Sequence, residues 1–90
     1  MIDATKTIKK VIKAGVAKKY VKELEGLKKR KEYTDHEAIQ GINLFDLNAI
    51  IGDFISIADG EGDYLECDTM QRDYLMQYIE YRNPELVVQA

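Results

Sequence analysis

The chain has 90 residues, 46% of them apolar, with one cysteine, one proline and a net charge of −3. That length holds a single domain with a small core, a lone cysteine excludes an intrachain disulfide, and no run approaches the roughly 18 apolar residues that open a membrane span. The modest total hides a split: residues 1–33 carry eleven cations against four carboxylates, a balance of +7, whereas residues 34–90 carry two against twelve, a balance of −10.

Period-2 alternation is absent and helical periodicity dominates, so the expected class is a small all-α bundle of three to five helices. Three stretches organise the single domain: a basic helical segment over 1–33, an acidic helical core over 34–82 and a tail over 83–90. The first helix covers residues 5–13, with Ile8, Val11 and Ile12 on one side and Lys6, Lys9, Lys10 and Lys13 on the other. Past Gly15 the apolar residues Val16, Tyr20, Leu24 and Leu27 lie half a turn around from that first face. Either Ala14-Gly15 breaks the helix, the preferred reading, or one rod carries two opposed apolar stripes. Stripes of that kind in so short a chain suggest a homo-oligomer held by helix packing and by basic-to-acidic complementarity.

Lys28, Lys29, Arg30 and Lys31 form a cationic run that suits the last turn of a helix, where the dipole is negative. Thr34-Asp35-His36-Glu37 has the spacing of a capping box and predicts a helix starting at Asp35, with a shift of face near Gly41. Asn43 then caps the strongest helix, Leu44–Ala58, with Leu44, Leu47, Ile50, Ile51, Phe54, Ile57 and Ala58 on one wide apolar face. Two glycines among three acids at 59–63 make a turn. Asp68 or Thr69 caps a last helix reaching Arg82, with Met70, Tyr74, Leu75, Tyr78, Ile79 and Tyr81 as its apolar residues, and Asn83-Pro84 ends it. The tail, apolar at Leu86, Val87 and Val88, docks on the helices or adds to another chain.

No nucleotide, hydrolase, zinc-protease or CxxC motif occurs. Asp59, Glu61 and Asp63 have the first spacing of a calcium loop, but Tyr64 stands where that loop needs Gly and Met70 where it needs a bidentate Glu, so no metal is expected. Cys67 lies between Glu66 and Asp68, whose charges suppress the thiolate, and His36, the single histidine, falls in a predicted helix N-terminal turn. Asp46 and Asp53, about 10 Å apart along one helix, read as solvated. No catalytic residue and no cofactor follow from these patterns.

Two uses of the charge remain. Four of the six tyrosines lie between positions 64 and 81, and tyrosine suits interfaces because its ring buries area while its hydroxyl still bonds. The acidic, tyrosine-bearing end is therefore the first candidate surface for a protein partner: Asp59, Glu61, Asp63, Tyr64, Glu66, Tyr74, Tyr78 and Tyr81. The alternative is contact between nucleic acid and the basic helices through Lys9, Lys13, Lys28, Lys29, Arg30 and Lys31. Against it stand the repulsion from the acidic half, and the option that lysines pair with that half. The expected protein is a cytoplasmic, non-enzymatic interaction module: a regulator, adaptor or inhibitor. Its composition is common among phage and mobile-element accessory proteins, which makes inhibition of a host factor the narrower expectation.

Overall fold

The computed structural model describes residues 1–61 and 69–90, and among them the fold is all-α. Helix α1 is Ala4–Ala14, α2 is Ala17–Arg30, α3 is Leu44–Ala58 and α4 is Thr69–Arg82, followed by a 3-10 turn over Pro84–Leu86. Asp3 caps α1 by accepting from the Lys6 amide at 3.0 Å, and Gly15, in the left-handed region at φ 69°, ends it. The break at Ala14-Gly15 is thus real, and it reconciles the two stripes. Ile8 and Val11 from α1, and Ala17, Tyr20 and Leu24 from α2, are all buried in one core with α3. The chain's own turn brings most of both stripes into one core, while Ile12 of the first stays 36% exposed.

Helix α2 runs antiparallel along α3: Ala17 and Lys18 line a recess with Ile57 and Ala58, while Lys28 and Lys31 line another with Leu44. Asn43 caps α3 as its sequence indicates, accepting from the Asp46 amide at 2.8 Å. Leu47, Ile50, Ile51, Phe54 and Ile57 turn inward, but Leu44, expected on the core face, is 46% exposed. Tyr20 packs edge-on against Phe54 and Tyr78 with ring centroids 5.3 and 5.4 Å apart, so the three rings tie α2, α3 and α4 together.

The helix expected from Asp35 does not form. Residues 31–43 instead make successive turns, with Asp35 N–H donating to the Glu32 carbonyl, His36 to Tyr33, Ile39 to His36 and Ile42 to Ile39. A helix begun at Asp35 would meet Gly41, at φ 88°, within two turns, too short to repay nucleation. Burial of Ala38, Ile39 and Ile42 overrides the capping-box signal. His36 is accordingly not at a helix start. It is half-buried in the turns, its ring 5.9 Å from that of Tyr78 and 5.0 Å from that of Tyr81.

The tail docks on its own domain. Ile2 and Gln89 form an antiparallel bridge, Asp3 N–H donates to the Val88 carbonyl at 2.7 Å, and the Val88 amide donates to the buried Thr7 hydroxyl at 3.0 Å. Thr7, buried on the inner side of α1, thereby finds the partner that a buried hydroxyl requires. No helix among the described residues is long and apolar enough to cross a membrane.

Candidate functional site

The acidic, tyrosine-bearing end divides on inspection. Tyr78 is wholly buried, Tyr74 is half-buried and Tyr81 is 48% exposed. Tyr78 is therefore a core residue and cannot serve as a contact. Its hydroxyl donates to Glu23 Oε2 at 2.8 Å, and the other carboxylate oxygen of Glu23 accepts from Arg82 Nη2. Burial first, then the hydrogen bond to Glu23, pushes the Tyr78 phenol well above its ordinary range. The Tyr20 hydroxyl donates to Asn83 Oδ1, and burial, reinforced by the nearby Glu85 charge, raises its pKa to about 12. Two tyrosines that sequence placed in the core or at a surface stripe thus form a polar seam between α2 and α4, with both phenols neutral and bonded.

What remains outward at this end is Tyr81, which lines a shallow recess with Glu37, Ala38, Gln77 and Glu80. Asp59 and Glu61 are exposed beyond the end of α3, and Gly60 turns the chain at φ 82°. Asp63, Tyr64, Glu66 and Cys67 lie outside the described residues, as does most of the calcium-loop spacing. Among the described residues no group of three metal-ligating side chains gathers. Asp53, read as solvated, is half-buried with Oδ2 shielded from solvent.

The lysines are uniformly outward. Lys9, Lys13, Lys28, Lys29, Arg30 and Lys31 are all exposed, and Arg30 pairs with its neighbour Glu32 at 2.9 Å. Among the described residues no lysine forms an ion pair; the bridge that joins the basic and acidic halves is Arg82 to Glu23, with the signs reversed from the expected pairing. The positive charge of residues 1–33 is therefore left facing solvent.

A third surface, not anticipated from sequence, lies where α2 hands over to α3. Leu44, Tyr33 and Thr34 line a recess together with Lys28 and Lys31, and Phe45, the next residue on α3, is 76% exposed. The local chain explains its shape. Helix α2 ends with Lys31 in the left-handed region at φ 59°, its N–H returning to the Leu27 and Lys28 carbonyls while Glu32 N–H reaches Leu27 at 2.9 Å, a Schellman-type close. Lys31 is the one non-glycine at positive φ among the described residues. Residue spacing gave no signal for this surface: consecutive Leu44 and Phe45 are both exposed, whereas consecutive Ile50 and Ile51 on the same helix are both buried. No protein-family model matches the chain, nor does any of the curated proteins or solved structures compared with it.

Proposed function

We propose that this chain is a non-enzymatic protein-interaction module, acting on another protein as a regulator, adaptor or inhibitor. The observation that carries the reading is Phe45, a large apolar side chain held in water on an ordered helix beside exposed Leu44. Scattered apolar residues on a surface need no explanation, but an exposed aromatic next to an aliphatic that lines a recess with two lysines has the composition of an interface anchor. This moves the favoured contact from the tyrosine-bearing end, where Tyr78 is committed to the core, to the junction of α2 and α3. The test is an affinity capture from lysate of the source organism after nuclease treatment, with the wild-type chain and Phe45→Ser side by side. A protein retained by the first and lost by the second is the expected result; identical captures would refute the reading.

The second reading, association with nucleic acid, is favoured by the outward lysines of residues 1–33, none of which forms an ion pair among the described residues. It predicts weak binding to arbitrary DNA or RNA that falls steeply with salt and disappears when Lys28, Lys29, Arg30 and Lys31 become Gln. Absence of binding at low salt removes it.

A further inference from the structure

We infer that the recess between α2 and α3 receives an acidic segment of a partner protein carrying an apolar anchor, an assignment that rests on the interaction-module reading and names the chemistry of the partner. Two features converge there, and a third concerns one of the same residues. Its apolar lining comes from Tyr33 and Leu44, and Phe45, the next residue on α3, is exposed. The rim is cationic, since Lys28 and Lys31 line the same recess and neither has a carboxylate within ion-pair distance among the described residues. The third feature is the residue chosen at the turn. Position 31 closes α2 in a left-handed conformation that glycine adopts without penalty and a side chain disfavours, yet it carries a lysine. Local stability alone would favour glycine. A lysine there adds a cation both to the end of α2 and to the lining of the recess.

These features select among occupants. An apolar floor with a cationic rim is complementary to a segment in which apolar residues are bracketed by Asp or Glu, because the anchor removes water from the floor while the carboxylates meet the lysines. A bare polyanion would use the rim but leave Leu44 unsatisfied, and a long nucleic acid would also meet the −10 balance of residues 34–90. A basic segment would be repelled at the rim.

The experiment uses the whole chain, labelled with nitrogen-15, and four probes: a short peptide with Leu-Phe flanked by Glu, the same peptide flanked by Lys, poly-Glu, and a single-stranded oligonucleotide. The expected result is that the Glu-flanked peptide binds best and moves the amide signals of Tyr33, Leu44 and Phe45. Lys28→Gln combined with Lys31→Gln should weaken it roughly ten-fold, and raising the salt should weaken it further. Lys31→Gly separates a binding role from a folding one: it should raise the thermal midpoint and still weaken the peptide. Failure of the Glu-flanked peptide to bind, equal binding by any other probe, or shifts centred elsewhere would each overturn the assignment. Concentration-dependent shifts at Phe45 without any probe would assign the surface to a second copy and overturn it equally. The parent reading is tested separately by the lysate capture. A protein lost with Phe45→Ser but kept by the double Gln variant leaves the interaction module standing and removes its acidic partner.

Discussion

The two ends of α2 treat their side chains in opposite ways. Along the seam with α4, Tyr20 and Tyr78 are buried and each hydroxyl has a partner, while Glu23 is held by both Tyr78 and Arg82. At the junction with α3, Tyr33 is half-buried, Leu44 and Phe45 are exposed, and Lys28 and Lys31 have no carboxylate to meet among the described residues. The first region has its contacts completed within the chain; the second leaves both apolar area and charge unanswered. Since burial of polar groups is tolerated only when they are bonded, whereas exposed apolar groups cost the fold almost nothing, substitutions at the seam should cost stability and those at the junction should, on the proposed reading, cost binding.

That contrast breaks most violently at Tyr78. Its ring packs against both Tyr20 and Phe54, so Tyr78→Ala opens a cavity at the meeting point of three helices and should cost about 3–5 kcal/mol. In a domain whose whole stability is of order 5–15 kcal/mol, denaturant titration should find the variant mostly or partly unfolded. Tyr78→Phe is the finer cut. It keeps the ring and deletes the donor to Glu23, which still has Arg82, so the loss should be about 1.5 kcal/mol in the same titration.

The seam also predicts how stability varies in alkali. In the unfolded chain a tyrosine ionises near 10, whereas burial and the nearby Glu85 charge hold Tyr20 neutral until about 12, and burial with the hydrogen bond to Glu23 shifts Tyr78 in the same direction. Between those values the unfolded state has released a proton that the folded state keeps. Their contribution is therefore fully present below about pH 10 and is lost as pH rises through the folded-state values. Urea midpoints should be level up to about pH 10 and fall beyond it, and Tyr20→Phe should make that fall shallower. An equally steep fall in the variant would mean that Tyr20 is not one of the groups responsible.

Sequence made the helix bounds more legible than either of these regions. The bounds of α3 follow from Asn43 and a regular apolar period, and the break at Gly15 follows from two stripes that disagree. Those are local signals, and local backbone geometry answers them. The turns over 31–43 were not legible, because Thr34 and Glu37 satisfy the capping-box spacing while the outcome is decided by Ala38, Ile39 and Ile42 finding the core at short range. Nor could periodicity say which side of α3 lacks a neighbour. A helix with apolar residues on most of its surface looks the same whether α4 or solvent lies beside Phe45, and only the packing of α2 against it decides. The seam shows the same limit from the other direction: the tyrosine spacing was visible, but that Glu23, 55 residues earlier, would receive the Tyr78 hydroxyl was not.

Lys31→Gly sharpens the contrast with a change of intermediate size. Removing a side chain from a left-handed residue relieves about 1 kcal/mol of backbone strain, partly offset by the greater freedom of glycine in the unfolded chain. The net gain should appear as a small upward shift in the thermal midpoint. A drop would mean that the lysine side chain holds the fold through its aliphatic stem, and the junction would then resemble the seam.

The smallest expected effect is at Phe45. Phe45 is 76% exposed in the first turn of α3, where the helix is held by the Asn43 cap and by the inward residues that follow, so Phe45→Ser removes little buried area. Serine is an adequate residue near a helix start, and the change in unfolding free energy should stay within about 0.5 kcal/mol, the range of ordinary surface substitutions. Equilibrium denaturation of the two chains side by side checks it. The value of so small an effect lies in what it isolates: a substitution that leaves the fold intact yet abolishes capture of a partner assigns Phe45 to recognition alone. A loss above about 1.5 kcal/mol would instead make Phe45 a packing residue of α3, and the distinction between a completed seam and an open junction would fail at the residue on which it most depends.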